Sequence, residues 1–390
     1  MMRSADTICN SVDKASRTYR PMAPEIVMTS SFYFESFDEY AEGCTNEFDS
    51  YVYTRGTNPT TAVLEDMLAQ LEGGECCKVF GSGMGAISAA LLTFASQGDH
   101  VLMVNTVYGA SANLIRGMSR YGVTSSLVNS SDTAEIIAAL RPNTKIIYFE
   151  SPSSQKFEMV DLVAIAEVAH ERGIITMIDN TWSTPLFQHP LAHGIDISIH
   201  SCSKYIGGHS DIVCGALIAS KRIVREIEEF GFLLLGSTAS PMTSFLAIRG
   251  LRSLPTRMRT LEINVRKVLD FLSADPRIKK VYHPYVSEGE QRRLAETYLS
   301  GYGSLLSFDM ADGSLEKLEQ FVEQLKLITL GVSWGGFESL VLPVYRRTNT
   351  DAVRARGLDA THVRMYVGLE DSADIIEDLS QAFDKAYGKI

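Results

Sequence analysis

The sequence predicts an α/β protein: an open, mostly parallel sheet covered on both faces by helices, followed by a smaller C-terminal α+β domain. Three observations carry this. Between residues 61 and 240, short apolar runs bounded by turn residues alternate with segments of helical periodicity. The crossovers between runs are long enough for parallel pairing. Beyond residue 240 the alternation gives way to a long helical stretch and then a mixed pattern.

Residues 1–60 are polar, aromatic and turn-rich, and read as an extended arm that packs on something else. The first helix is expected over 61–71, where Val63, Leu64, Met67, Leu68 and Leu71 share one face and Gly73-Gly74 ends the run. Strands follow over 78–80, 101–104, 146–149, 175–178 and 195–199, with helices over 84–94, 111–121, 133–140 and 162–172. A helical stretch over 241–272 is expected to break at Gly250 and Pro255. Strands over 304–308, 339–342 and 363–367, with helices over 315–325 and 372–386, complete the small domain. The expected division is an arm (1–60), a large domain (61–240) and a small domain (241–390).

Length and composition exclude a disulfide mini-scaffold: 390 residues, 45% hydrophobic and 21% charged, suit a protein with a large core. With 47 acidic against 36 basic residues and no Lys/Arg block, nucleic acid is not an expected partner. The opening residues lack the basic-then-apolar pattern of a secretion signal, and no apolar stretch is long enough to span a bilayer. The expectation is a cytoplasmic protein without membrane contact. The six cysteines form no CxxC pair and read as free, mostly buried thiols. His189 and His193 are separated by Pro190, so a helical zinc pair is not expected, and no metal site is assigned.

The chemistry gathers at expected strand ends. Gly81-Ser82-Gly83-Met84-Gly85-Ala86 lies between a strand and a helix and fits GxGxxA. A dinucleotide fold wants an acidic residue after the next strand, where this chain has Asn105. What remains is a turn of small residues whose amides face an anion, most simply a phosphate, or a turn that serves packing alone. Asp179 ends one strand and Lys204, in Ser201-Cys202-Ser203-Lys204, follows the next, so both reach the crevice at the strand ends. Singly, each reads as a capping aspartate or a solvated lysine. Together with the small-residue turn they suit pyridoxal 5'-phosphate, an aldehyde that condenses with a lysine amine, whose pyridine nitrogen a carboxylate keeps protonated.

On these residues the chain resembles the Cys/Met metabolism enzymes of the aspartate-aminotransferase-like fold (fold type I) of PLP-dependent proteins, over nearly its whole length. The resemblance rests on YTRGTNPT at 53–60, Ser82-Gly83-Met84, Tyr108-Gly109, Glu150-Ser151-Pro152, Asp179-Asn180-Thr181-Trp182, SCSKYIGGHSD at 201–211, SWGGFESL at 333–340 and RMYVGLED at 364–371. It implies that Lys204 forms the Schiff base, Asp179 pairs with the pyridine nitrogen and Tyr108 stacks on the ring. It implies further that Gly83, Met84, Ser201 and Ser203 hold the phosphate, with Tyr53 and Arg55 reaching the phosphate of a neighbouring subunit. Arg364 matches the clamp of the substrate carboxylate, with Ser333 beside it. Ser154 stands where many relatives have Asn near the phenolic oxygen, and Ser203 where Thr is commoner.

By the resemblance, released Lys204 is the general base, and Tyr108 or Tyr53 shares proton transfer. The same residues serve β-elimination to pyruvate and γ-elimination to 2-oxobutanoate. Trp182 and the Ser333-Trp334-Gly335-Gly336 run resemble enteric-type cystathionine β-lyases. Ser82 to Ala86 and Tyr53-Thr54-Arg55 resemble γ-lyases and γ-synthases. The reading is a carbon–sulfur β-lyase of cystathionine-like substrates, with γ-elimination or γ-replacement as alternatives. Apolar Val52 and Leu342 near the expected mouth favour a less polar substrate side chain, or pack only. A binding module without turnover would lack Lys204, Asp179 or Arg364, and a dehydrogenase would carry the acidic partner of the glycine turn. The family implies at least a dimer, usually a homotetramer.

Overall fold

The computed structural model describes residues 3–12, 20–355 and 357–389. Met1 and Met2 of the start, and 13–19 of the expected arm, lie outside the described residues. The chain divides into two compact units. One comprises the residues up to Ser151 with Val160–Gly207 and Asp211–Pro255, the other Pro152–Met159, Gly208–Ser210 and the residues from Thr256 onward.

The first unit holds a seven-stranded sheet: β1 (Cys76–Phe80), β2 (His100–Val104), β3 (Thr124–Val128), β4 (Thr144–Glu150), β5 (Ile175–Asp179), β6 (Ile197–His200) and β7 (Gly215–Ala219). Its order is β1-β7-β6-β5-β4-β2-β3. The strands from β6 to β3 run parallel, and β7 runs antiparallel to both β1 and β6. β2 and β7 are buried at every residue, as strands covered on both faces must be. Sequence patterning misses β3 and β7. β3 is an edge strand, TSSLV, whose polar residues are half-exposed, and β7 is GALIA, whose small residues carry little strand signal.

The first expected helix is Pro59–Glu72, capped by Asn58 at its start and by left-handed Gly73 at its end. The arm is more regular than expected, with helices Ala5–Asn10 and Phe37–Thr45. Ser4 and Ser36 cap them by accepting the Thr7 and Glu39 amides, and both helices carry acid in the first turn. They are too short for a helical period to stand out in a polar sequence. The expected break at Gly250 and Pro255 is also corrected: Pro241–Ala274 is one 34-residue helix with Pro255 inside it. Leu251, Leu254, Met258, Leu261 and Val265 form an unbroken buried stripe, which offsets the hydrogen bond that Pro255 cannot donate.

The second unit holds a five-stranded sheet built from β8 (Ile278–Tyr282), β9 (Leu305–Met310), β10 (Thr329–Leu330), β11 (Leu340–Pro343) and β12 (Val363–Tyr366), ordered β10-β11-β12-β9-β8. Helices Leu315–Gln324 and Ser372–Tyr387 cover it, with Phe321 and Phe383 stacked at 4.4 Å. Phe308, Val363 and Met365 pack into this core. Cross-strand register sets Ser307, Leu342 and Arg364 side by side on the opposite face.

The six cysteines are free thiols, four of them buried, with Cys44 exposed and Cys76 between. Burial pushes the Cys77 thiol well up, which keeps it protonated. Among the described residues no helix is long and apolar enough to cross a membrane.

Candidate active site

The parallel strands β4, β5 and β6 end in Glu150, Asp179 and His200, and register places Glu150 beside Asp179. Each carries a different part of the site. The Glu150 carboxylate accepts the Tyr108 backbone N–H, fixing the residue that starts helix Gly109–Gly117 and leaving its ring half-exposed above the strand ends. Beneath it, Tyr148 donates to Ser111 Oγ at 3.2 Å. Burial first, then the charges of Asp179 and Glu150, push its phenol well up, so Tyr148 stays neutral.

Asp179 Oδ1 accepts both the N–H of Thr181, at 3.0 Å, and its hydroxyl. The same hydroxyl accepts the Ser201 N–H at 2.8 Å. One side chain thus ties the strand-end carboxylate to the start of the Ser201–Lys204 segment. Burial pushes the Asp179 carboxyl up, against the hydrogen bonds of Thr181 and the charges of His200 and Lys204. Lys204 is half-buried, and its backbone N–H donates to Ser201 O at 3.0 Å.

Behind Asp179 lies a buried polar network. Glu72 accepts from Asn180 Nδ2 at 3.0 Å and from Ser198 Oγ, and its second oxygen meets His200 Nε2 at 2.9 Å. Burial would raise the Glu72 carboxyl, but His200 and the hydrogen bonds hold it below its ordinary value. Neither Glu72 nor Thr181 nor Glu150 is given a role by the sequence. Glu150 and Thr181 stand in motifs with family resemblance, but their partners are set by strand register and turn geometry.

The turn between β1 and helix Gly83–Phe94 faces the same segment. Ser82 caps the helix by accepting the Gly85 N–H at 2.9 Å. The first-turn amides of Gly83 and Met84 have no acceptor within the helix. A Cβ on Gly83 would lie 3.0 Å from Ser201 Cβ, and one on Gly215 would lie 2.2 Å from Ser82 O, so glycine at both positions lets the turn close on Ser201 and β7. Ser203 Oγ donates to Cys214 O at 3.2 Å and accepts the Cys214 N–H at 3.0 Å, so contact with an anion requires its hydroxyl to turn.

Residues 6–384 match the Cys/Met metabolism PLP-dependent enzyme family. The chain belongs to that family. It is 37% identical to a cystathionine γ-lyase of Bacillus subtilis over 88% of this chain and 92% of that one. It is 35% identical to an L-methionine γ-lyase of Fusobacterium nucleatum subsp. polymorphum over 94% of each. A crystal structure of cystathionine γ-lyase from Lactobacillus plantarum, complexed with L-serine, matches with a TM-score of 0.90 at 31% identity, covering 98% of this chain and 99% of that one. As in the rest of the Cys/Met metabolism family, the cofactor is pyridoxal 5'-phosphate and the fold is the type I fold of PLP-dependent enzymes.

The residues present fit that cofactor: two uncapped amides at a helix start packed against Ser201, with a half-buried carboxylate at the end of β5 and an amine on the segment that follows β6. The first unit brings together Gly83, Met84, Tyr108, Asp179, Ser201, Ser203 and Lys204. Tyr53 and Arg55 lie in the same unit, with the Arg55 guanidinium 5.4 Å from the Tyr53 ring centre, beside a cleft of about 520 Å³ lined also by Thr29, Ser30, Thr238 and Ser240. Arg364, Ser333 and Ser154 belong to the second unit. There Ser333 adopts a left-handed φ of 79°, a conformation that costs a serine about 1–3 kcal/mol and clusters at functional sites. Leu342, expected near the substrate mouth, is the cross-strand neighbour of Arg364. Among the described residues no cluster of three or more His, Cys, Asp or Glu is placed to hold a metal ion.

Proposed function

We propose that this enzyme is a carbon–sulfur lyase of sulfur amino acids. The observation that carries the reading is the Asp179–Thr181–Ser201 chain closed onto the Gly83 turn, with Lys204 three residues further on. Bound pyridoxal phosphate supplies an electron sink for the α-carbon of an amino acid. Gly83 and Met84 amides and the Ser201 hydroxyl would hold its phosphate, with Ser203 contributing once its hydroxyl turns. Asp179 would keep the pyridine nitrogen protonated, and Tyr108 would supply an aromatic face to the ring. Ser154, where many relatives have Asn, would leave the phenolic oxygen without an amide donor.

Arg364 binds the substrate α-carboxylate with its two-pronged guanidinium, assisted by Ser333. Lys204 Nζ takes the α-proton, and the Tyr108 or Tyr53 hydroxyl delivers a proton to the departing sulfur. Loss of the β-substituent of cystathionine, with one water, gives homocysteine, pyruvate and ammonia. This is the reading that Trp182 and Trp334 favour by their motifs. Loss of the γ-substituent gives cysteine, 2-oxobutanoate and ammonia, and the γ-lyases among the relatives favour this second reading; γ-replacement would give neither oxo acid as the main product. The apolar Val52 and Leu342 suit a thioether without a distal charge.

Tyr53 and Arg55 reach the phosphate of a partner subunit, so the working form is at least a dimer and, by family habit, a homotetramer. The arm (1–60), large domain (61–240) and small domain (241–390) are the corresponding functional parts. The test is incubation of the holoenzyme with cystathionine, cystine, methionine and O-substituted homoserines, scoring thiol, pyruvate and 2-oxobutanoate, with Lys204→Ala as control. Thiol released together with an oxo acid supports the lyase. Absence of both oxo acids with every substrate refutes it.

A further inference from the structure

Lys78 is a cation where a β-strand would ordinarily place an apolar residue. It lies on β1 and is only 3% exposed. Its ammonium has three protons and three close acceptors: the main-chain carbonyl of Gly56 at 3.0 Å, Glu228 Oε1 at 3.1 Å and Glu65 Oε1 at 3.6 Å. It also sits 4.7 Å from the centre of the Phe232 ring. Burial works against the ammonium, but the two carboxylates hold its pKa above the ordinary lysine value, so it is charged.

A buried ion cluster is a poor source of stability, since an apolar residue fills such a site without desolvation. What the ammonium adds is direction. Of its three acceptors one belongs to the arm, and that one is the carbonyl of the residue directly after Arg55. A second tether holds the same stretch: Arg225 pairs with Asp49 at 2.9 Å, lies 4.4 Å from the Phe48 ring centre, and reaches Glu228 at 3.6 Å. Glu228 thus joins both tethers. Between their attachment points at Asp49 and Gly56 stand Tyr53 and Arg55, both exposed. Among the described residues Arg55 pairs with no carboxylate, and its guanidinium lies 5.4 Å from the Tyr53 ring centre.

We propose that Lys78 is a positioning residue for the enzyme's cofactor site, fastening the arm so that Tyr53 and Arg55 are presented in fixed geometry to the phosphate group of the partner's cofactor. The inference rests on the cross-subunit role of Tyr53 and Arg55. In Lys78→Met the thioether replaces the aliphatic stem, Glu228 keeps Arg225, and Glu65 keeps the Val79 N–H at 3.0 Å. Neither carboxylate is then left without a partner.

The experiment compares full-length wild type, Lys78→Met and Arg55→Ala, each stripped of cofactor and titrated with pyridoxal phosphate, alongside amide hydrogen exchange across residues 47–58. Lys78→Met is expected to raise the cofactor dissociation constant about tenfold and to speed exchange across 47–58 by a similar factor. Arg55→Ala is expected to weaken the cofactor without changing exchange. Wild-type affinity in Lys78→Met, with Arg55→Ala weakened, overturns the role of Lys78 alone. Wild-type affinity in Arg55→Ala overturns the cross-subunit reading and the proposal with it. Should Lys78→Met fail to fold, Glu228→Gln tests the same cluster, and unchanged exchange with unchanged affinity there also overturns the proposal.

Discussion

Thr181 joins Asp179 to Ser201 by three hydrogen bonds through one hydroxyl and one amide, and this makes it a sharp probe of how Asp179 is held. Thr181→Val removes the hydroxyl donor to Asp179 and leaves the Ser201 N–H without its acceptor, while the backbone bond to Asp179 survives. Loss of a hydrogen bond to a carboxylate and an orphaned amide each cost about 1–3 kcal/mol. Cofactor affinity is therefore expected to fall tenfold or more, measured by titrating the stripped protein, while Thr181→Ser stays near wild type. Glu72 gives a pH signature at the same scale. Its carboxyl is held below the ordinary value of 4.5, so its contribution is complete above that value and is lost as pH falls through the lower folded value. Melting temperature in the wild type is expected to drop more steeply below about pH 4.5 than in Glu72→Gln; identical slopes would show that Glu72 is not ionised in the fold.

At the scale of elements, His283 is the start cap of the short turn Pro284–Val286, accepting the Tyr285 N–H and donating from Nε2 to Gly303 O at 2.9 Å. Both nitrogens are engaged only by a neutral ring, and burial pushes its pKa down to about 4. The unfolded chain then binds more protons than the folded one between about pH 6.5 and 4, so stability is lost as pH falls through that window, by about 3 kcal/mol in all. His283→Gln is expected to flatten this part of the stability curve, read by denaturant unfolding at several pH values. The elements readable in the sequence are those with a one-dimensional signature: apolar runs for β2, β4 and β5, and a helical stripe ending at Gly73. The polar edge strand β3, the small-residue strand β7 and the capped arm helices lack one. Pro255 reads as a break because its missing donor is local, whereas the stripe that holds the helix is tertiary. Likewise Asp179 and Lys204 are legible because strand ends converge, but Glu72–His200, Glu150–Tyr108 and Lys78–Gly56 each join distant segments, and in sequence Lys78 looks like any residue of a short strand.

For the whole molecule, the described arm exposes Met22, Met28, Tyr33, Phe37 and Tyr40, a concentration of large apolar side chains that solvent does not favour. It fits the proposed subunit contact. If Tyr53 and Arg55 serve the partner's site, Lys204→Ala and Arg55→Ala subunits refolded together contain sites with an intact Lys204 from one chain and an intact Arg55 from the other. Such mixtures are expected to exceed the mean activity of the two separate variants, measured as oxo-acid release at equal subunit concentration. Activity equal to that mean would place each site within one chain.

The strand-end crevice is proposed to bind pyridoxal phosphate through Lys204. Borohydride reduction of the holoenzyme, digestion and mass mapping test it most directly. One pyridoxyl phosphate per chain is expected, attached to Lys204 Nζ, with bleaching of the bound cofactor's colour. Attachment to another lysine, or none, would contradict it.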